Sequence, residues 1–141
     1  KITSSSRATQ EYAELVDLNE LMGKRRVLRQ HYAGLRPVMI RQILGTEGRP
    51  EDFDAAFHLL NEQTSARWLS VASARLNGAA LPAVELIQIG ERYFVRDGHH
   101  RISVARALGE ETIDAEVTVW EVQGRMPWEP EPALQACPQL V

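Results

Sequence analysis

The sequence predicts an α+β domain built on a small mixed sheet, and three stretches carry that prediction. Residues 93–109 read as strand, tight turn and helix, because an aromatic and β-branched run leads through Asp97-Gly98 into apolar residues at helical spacing. Residues 83–96 alternate on either side of Gly90-Glu91, as a β-hairpin does. Residues 112–122 alternate apolar and polar side chains, which is typical of a half-buried strand. Together they predict a β-hairpin-α-β core.

The composition limits the classes of protein to which this chain can belong. A chain of 141 residues with 44% hydrophobic and 25% charged residues is an ordinary globular sequence, long enough for one domain with a real core. The net charge of −3 gives no overall attraction to nucleic acid, so DNA would need a local basic patch. The single Cys137 excludes an internal disulfide framework and a cysteine-based zinc site. We expect no membrane span and a reducing, cytoplasmic setting, because neither a long apolar run nor a signal-peptide pattern is present.

Ahead of the core, apolar spacing predicts a long N-terminal helix from Thr9 to Ala33. Arg36-Pro37 ends that pattern, and Val38–Leu44 is predicted as a short strand. A further helix is predicted over 66–76, ended by Asn77-Gly78. In the strand that follows it, Val84 and Leu86 alternate with Glu85, Ile87 and Ile89, and the two isoleucines indicate that the strand is buried on both faces.

These elements divide the chain into three predicted parts. Residues 1–35 form an N-terminal helical extension, residues 36–122 the α+β domain, and residues 123–141 a Pro-rich tail of irregular structure. We expect Trp128 of the tail either to dock on the body or to wall a pocket, with packing the ordinary role of a tryptophan.

The turn at Asp97-Gly98 is where chemistry is predicted. A helix that begins there leaves its first N–H groups without intrahelical partners, and its dipole is positive at that end. Such an end is an anion site, for phosphate above all. Arg101 would add a bidentate fork and His100 a further donor. The alternative interpretation is that Asp97 only caps the helix and that the histidines are polar surface.

Two further patterns are candidates for the site. The tripeptide Glu47-Gly48-Arg49 holds an acid and a base on a flexible loop, although an ordinary polar turn has the same composition. A run of cations in the predicted first helix would either touch phosphates or form a solvated helix face, and it comprises Lys24, Arg25, Arg26 and Arg29. We expect no metal site on His99 and His100, because adjacent helical residues point about 100° apart. Mg²⁺ carried by a nucleotide and held by Asp97 or Glu47 is the more plausible ion.

The order of these elements resembles the N-terminal domain of ParB-type chromosome-partitioning proteins, a fold shared with sulfiredoxin. The matching parts are the Val38–Ile43 strand, Phe53-Asp54, a helix ending at Gly78, the strand begun by Pro82, the turn, Leu108-Gly109 and the strand Ile113–Val119. The central turn reads Gly-Glu-Arg-Arg in ParB-like proteins and Gly-Cys-His-Arg in sulfiredoxin. Here it reads Gly98-His99-His100-Arg101.

The resemblance implies a nucleotide-phosphate site at this turn, with Gly98, His100 and Arg101 as contacts and Ser103 added to the binding set. His99 stands where sulfiredoxin has its nucleophilic cysteine, so repair of sulfinic acid is not expected. Residues 121–141 contain neither the Asn-Gln-Arg-type box nor the helix-turn-helix of ParB. A third branch of the fold phosphorylates free serine with an acidic base, a role open to Glu47 or Asp97.

Three functions follow as hypotheses. The first is a domain that binds a nucleotide (ATP or CTP with Mg²⁺) or a phosphorylated small molecule and acts as a phosphotransferase or hydrolase. In it Asp97 is a base or metal ligand, Glu47 an alternative base, and His99 an acid/base. The second is a DNA-associated, nuclease-type ParB-like module, whose DNA surface joins the basic run of the first helix to Arg67, Arg75 and Arg106. The third is a non-catalytic regulatory or binding protein that forms a homodimer through its N-terminal helix.

Overall fold

The structure is a computed structural model that describes residues 14–48, 52–60 and 65–129. In this part of the chain, six strands form one mixed sheet and three helices pack on it, so the protein is an α+β domain. The strands are β1 (Val16–Asp17), β2 (Val27–Met39), β3 (Ile43–Thr46), β4 (Val84–Ile89), β5 (Arg92–Asp97) and β6 (Thr112–Val122). The helices are α1 (Leu18–Met22), α2 (Ser65–Leu76) and α3 (His99–Ala107), and a 3-10 turn spans Ile40–Gln42.

The sheet has the strand order β1-β3-β5-β4-β6-β2. Strands β4 and β5 form the predicted antiparallel hairpin at its centre, and Ile87 lies opposite Phe94. Strand β3 runs parallel to β5, with Thr46 opposite Val95, and β4 runs parallel to β6. Because β3 and β5 are parallel, their carboxyl ends lie side by side, and α3 begins just beyond the end of β5.

The central hairpin is buried on both faces, as predicted. Leu86 and Val95 belong to the core cluster that lies under α3, where Ile102 and Ala105 pack against the sheet. Ile87 and Phe94, their neighbours along the strands, belong to a second cluster on the opposite face, together with Leu18 of α1. The side chains of consecutive strand residues point to opposite faces of the sheet. A hairpin with apolar residues at consecutive positions therefore needs other elements packed against both of its faces.

The predicted N-terminal helix is wrong for most of the part that the structure describes. Residues 16–17 are a strand, α1 makes little more than one turn, and Gly23 at φ +54° follows it. From Val27 the chain is the edge strand β2, which pairs antiparallel with β6 over its whole length. The segment therefore obtains its backbone hydrogen bonds from β6 rather than from a helix, and this partner is 73 residues away in sequence at its nearest pairing, Met39 with Thr112. Residues 9–13 of the predicted helix lie outside the described ranges.

The expected strand over Val38–Leu44 is divided rather than continuous. Strand β2 ends at Met39, the 3-10 turn follows, and β3 begins at Ile43. The remaining predicted elements are confirmed, since α2, the hairpin, α3 and β6 occupy the expected positions. Residues 27–35, which the sequence analysis placed in the N-terminal extension, form part of the sheet. The predicted boundaries between parts of the chain, at 35/36 and 122/123, stay predictions.

Trp128 of the predicted tail docks on the body of the protein. Its ring lies 5.8 Å from the ring of Phe94, and it packs against the second core cluster beside Met126. The rest of the predicted Pro-rich tail, from residue 130, lies outside the described ranges. Among the helices that the structure does describe, none has the length and apolar character needed to cross a membrane.

The close contact between β1 and β3 gives a test of the sheet. A Cβ added at Gly45 would lie 2.1 Å from the backbone oxygen of Val16, so Gly45→Ala must push β1 away from β3. We expect a loss of about 1–3 kcal/mol in the free energy of unfolding, measured by urea denaturation. Gly48→Ala is the control, because a Cβ there meets nothing within 4 Å. Equal stability of the two variants would contradict this packing.

Candidate functional site

The predicted turn is present, and its glycine is required by two independent features. Gly98 adopts φ +112°, a left-handed conformation that favours glycine. A Cβ at this position would also lie 2.5 Å from Cγ1 of Val84, so the backbone here rests directly on β4. Gly98 has no side chain with which to cap α3, and only its carbonyl enters the helix, accepting from the N–H of Ile102 at 3.0 Å. The earlier N–H groups of the first turn have no intrahelical acceptor.

A cleft of about 450 Å³ opens at this turn. It is lined by Gly48, Arg67, Val71, Leu81, Pro82 and residues 96–101. Among the residues that the structure describes, the lining includes three arginines, two histidines and one carboxylate, that of Asp97. The structure brings Asp97, Gly98, His99, His100 and Arg101 to one cleft, and their roles as site residues stay a prediction.

Arg101 is held rigidly at the rim of this cleft. Its Nη1 donates to the carbonyl oxygens of Pro82 at 2.8 Å and Ala83 at 2.9 Å, and its Nη2 lies 3.0 Å from Oδ2 of Asp97. The guanidinium is therefore anchored to the entry of β4 and oriented by a carboxylate one helical turn before it. Asp97 is 65% exposed in its side chain, so its carboxylate remains open to the cleft.

Glu47 is brought to the same end of the sheet but is bound by Arg96. The two side chains form a fork-to-fork ion pair, with Nε to Oε1 at 3.0 Å and Nη2 to Oε2 at 3.3 Å. These hydrogen bonds raise the pKa of Arg96 above its ordinary value, against the opposing effect of its partial burial. The guanidinium also lies 6.0 Å from the ring centre of Trp120. Arg49, the third residue of the predicted site loop, lies outside the described ranges.

The two histidines are built into the wall of the cleft rather than displayed on its surface. Nε2 of His99 lies 2.6 Å from Oγ1 of Thr46, a residue with no solvent exposure. The ring of Phe53 stacks on His99 at 6.0 Å with an interplanar angle of 12°. The same phenyl ring meets His100 edge-on at 5.3 Å. Sequence reasoning missed Thr46 and Phe53, and the one available signal for Thr46 was its position beside the predicted loop at Glu47.

Ser103 does not lie at the cleft. Its hydroxyl donates to the carbonyl oxygen of Phe57 at 2.5 Å and accepts from Nε1 of Trp68 at 2.7 Å, and the residue is buried. Ser103 therefore joins α2, α3 and the loop of residues 52–60. This geometry gives no support to its predicted role in binding phosphate, because the Ser103 hydroxyl lies inside the core and already makes two hydrogen bonds to other residues.

Arg67 enters the site from α2 and was named by the sequence only as a possible DNA contact. It lines the cleft, and it forms no hydrogen bond or ion pair with any of the residues that the structure describes. Several other cations of the predicted DNA surface are engaged elsewhere. Arg75 pairs with Glu110 at 2.6 Å, and Arg29 pairs with Glu121 at 3.5 Å.

The structure gives no metal cluster to add to this cleft. Within residues 14–48, 52–60 and 65–129, no group of three or more His, Cys, Asp or Glu side chains is arranged to hold an ion.

The close contact between Gly98 and Val84 can be tested separately from the backbone strain of an alanine in the left-handed conformation. Gly98→Ala adds both backbone strain and a clash with Val84, whereas Gly109→Ala adds strain alone, since φ is +84° there and nothing lies within 4 Å. We expect Gly98→Ala to lower the free energy of unfolding by about 1–3 kcal/mol more than Gly109→Ala does. Chemical denaturation of both variants measures the difference, and equal losses would show that the contact with Val84 is unimportant.

The loop that carries Phe53 gives a prediction about pH. Partial burial raises the pKa of Asp54, but hydrogen bonds from the backbone and ring of His58 and from the Ala56 N–H outweigh it, so the net shift is downward. A depressed pKa in the folded state means that stability is present above the unfolded value and is lost as pH falls through the folded one.

Asp54→Ala should therefore destabilise the protein at pH 6 by about 1 kcal/mol, and the difference from wild type should shrink as pH falls from about 5 to 3. Thermal unfolding across this range measures it, and Asp114→Ala controls for the loss of a carboxylate as such. A difference that is constant over the range would rule out the role assigned to Asp54.

Comparisons with known proteins give a fold resemblance and no assignment. No protein-family model matches the sequence, and no curated protein matches it. Solved structures similar to this one include the crystal structure of sulfiredoxin from Arabidopsis thaliana, with 18% sequence identity and a TM-score of 0.40. The match covers 59% of this chain and 82% of that chain. The described strands and helices themselves show an α+β domain with a mixed sheet, and membership of the ParB/sulfiredoxin-like superfamily stays a prediction.

Proposed function

We propose that this ParB/sulfiredoxin-like domain binds a phosphate-bearing ligand, a nucleotide such as ATP or CTP, in the cleft at the Gly98–Arg101 turn. The observation that carries the proposal is the convergence of three arginines, from α2, β5 and α3, on the N-terminus of α3. Each of these features attracts anions by itself, and here they share one cleft of about 450 Å³.

The charge balance of the cleft supports an anionic ligand. Arg96 and Arg101 each have a carboxylate partner, Glu47 and Asp97, whereas Arg67 has none among the described residues. The pairs hold two guanidinium groups in place without removing their remaining N–H donors, because a guanidinium has five. Arg67 is therefore the guanidinium left for an anionic ligand among the described residues, and Glu85 is a third carboxylate close enough to act on Arg96.

The start of α3 supports a phosphate in particular. Gly98, the N-cap residue, supplies no side-chain oxygen to the first turn of α3. Backbone N–H donors at a helix N-terminus that follows a glycine commonly bind the oxygens of a tetrahedral anion.

Of the two predicted acids, Asp97 is better placed for chemistry than Glu47. Asp97 lines the cleft and uses Oδ2 for Arg101, while Oδ1 makes no bond with the described residues. Both oxygens of Glu47 are bound by Arg96. If the ligand carries Mg²⁺, Asp97 is the protein carboxylate that would hold it, and the ion would neutralise charge on the phosphates. Transfer or hydrolysis of a phosphoryl group is the activity proposed for such a site.

Calorimetric titration with ATP, ADP, CTP and pyrophosphate, each with Mg²⁺, tests the proposal. We choose Arg67→Ala as the variant, because this arginine supports no described contact and its loss should leave the fold intact. Arg106→Ala is the matched control, since Arg106 is an exposed arginine of α3 that does not line the cleft. We expect Kd for the bound phosphate ligand to rise roughly 10- to 100-fold in Arg67→Ala, as befits a charge-assisted hydrogen bond, and to change little in Arg106→Ala.

Two results would overturn the proposal: no binding of any of these anions to the wild type, or equal weakening by the two substitutions. Arg101→Lys is a useful further variant, whereas Arg101→Ala would also remove the anchor to Pro82 and Ala83. DNA titrations at several salt concentrations distinguish the alternative. Affinity for DNA that falls steeply with salt, together with no affinity for nucleotides, would favour the DNA-associated module.

A further inference from the structure

The ion pair between Arg96 and Glu47 lies at the edge of the cleft, and its two members are placed differently. Arg96 belongs to the lining, whereas Glu47 does not, although the next residue, Gly48, does. The two charged side chains are 37% and 33% exposed. An ion pair that is this open to solvent contributes little to stability, because water screens the attraction. The contact is therefore one that a stronger anion can displace.

The backbone of β5 gives Arg96 an unusual direction. On β4, Glu85 pairs with Asp97 and Leu86 pairs with Val95, so Arg96 is the extra residue of a bulge in β5. A bulge redirects the side chain of its extra residue and leaves that residue outside the regular pairing. Arg96 thus lies between Glu47 and the cleft, in contact with one and in the lining of the other.

The two paired arginines of the cleft differ in how firmly they are held. Arg101 donates to two backbone carbonyl oxygens as well as to Asp97, so its guanidinium is fixed. Among the described residues, Arg96 donates hydrogen bonds to the side chain of Glu47, and its guanidinium lies 6.0 Å from the ring centre of Trp120. Rotation of side chains is therefore enough to separate Arg96 from its partner.

The backbone of Glu47 is held independently of its side chain. Its N–H donates to the carbonyl oxygen of Val95 at 2.9 Å, and its carbonyl oxygen accepts from Nδ2 of Asn19 at 3.2 Å. The carboxylate can therefore lose Arg96 while the end of β3 stays in place.

We propose that a phosphate bound in the cleft takes Arg96 from Glu47, so that this arginine exchanges one anionic partner for another. The inference rests on the proposed function. A guanidinium binds a carboxylate and a phosphate through the same bidentate geometry, but the phosphate offers more oxygens and more charge. Arg67, Arg101 and the positive end of α3 attract the phosphate to the same cleft, and they do not support Glu47 in this way. The phosphate is therefore the stronger competitor for Arg96.

The exchange changes what Glu47 is able to do. Arg96 binds both carboxylate oxygens of Glu47 in this structure, and the exchange releases both of them. Glu47 then adds a second carboxylate to that of Asp97 at this end of the sheet, and it does so only when a phosphate is present. The acidic role that the sequence suggested for Glu47 thus depends on the ligand.

Calorimetric titration with pyrophosphate tests the exchange in wild type and in Glu47→Gln. The substitution keeps the shape of the side chain and removes its charge, so the phosphate no longer competes with a carboxylate for Arg96. We expect Kd for pyrophosphate to fall about 2- to 5-fold, the factor that corresponds to breaking an exposed ion pair. Glu85→Gln is the matched control, because Glu85 acts on Arg96 through charge and not through a hydrogen bond. It should lower Kd by less than Glu47→Gln does.

Arg96→Ala shows whether the effect of Glu47 passes through Arg96. This variant should weaken the binding of pyrophosphate roughly 10-fold or more, as expected for a charge-assisted hydrogen bond. In its background no guanidinium remains to be released, so adding Glu47→Gln should change Kd no more than adding Glu85→Gln does. Nuclear magnetic resonance gives a direct readout in wild type. The Nε–H signal of Arg96, assigned by its loss in Arg96→Lys, should shift when pyrophosphate is added.

The inference is overturned if Glu47→Gln leaves Kd unchanged or raises it, or if Glu85→Gln lowers Kd equally. It is also overturned if the effect of Glu47→Gln persists in the Arg96→Ala background. Should Glu47→Gln not fold, the wild-type spectrum decides, and an Arg96 signal that ignores bound pyrophosphate rejects the exchange. Pyrophosphate binding that weakens in Arg67→Ala but is indifferent to Glu47→Gln would remove this inference and leave the proposed function standing. No binding of any anion would remove both.

Discussion

The close approach of the Gly98 backbone to Val84 is the contact on which the rest of the site depends. A Cβ at residue 98 would lie 2.7 Å from the Cβ of Val84, so only a glycine allows the chain to turn directly against β4. This contact places the first turn of α3 over the centre of the sheet. From there Ile102 reaches the core below, and Arg101 reaches back to the carbonyl oxygens before β4. A helix that began farther from the sheet would lose both connections.

Two ion pairs fix the positions of charged groups in the cleft, and the two residues of each pair come from different parts of the fold. Glu47 follows β3 and Arg96 is the second-last residue of β5, and the parallel register of those strands brings them together across 49 residues of sequence. Asp97 and Arg101 are four residues apart on either side of the turn. Exposed ion pairs of this kind contribute little stability, typically less than about 1 kcal/mol each. Their larger effect is to restrict where two guanidinium groups lie in the cleft where we propose that an anion binds.

The loop of residues 52–60 forms the wall behind the histidines, and hydrogen bonds to polar groups of the protein hold it in place. Ser103 binds the carbonyl oxygen of Phe57, a non-glycine residue with a positive φ of 64°, and it receives a hydrogen bond from Trp68. Asp54 caps the same loop from within by accepting from Ala56 and His58. These bonds hold the loop so that Phe53 covers the histidine rings. The cleft therefore has an apolar wall behind its polar lining.

Local pattern in the sequence determined the hairpin, α3 and β6, and it predicted an anion site at the turn. Alternation with a period of two, helical spacing after Asp97-Gly98 and glycines at turns are all properties of neighbouring residues, and they predicted elements that the structure contains. Tertiary structure alone decided three other matters: β2 is a strand because the edge of β6 is there to pair with it, Ser103 faces the core, and Thr46 meets His99. Periodicity reports which face of an element is buried, but a partner 50 or 80 residues away is chosen by register and packing, which no local pattern encodes.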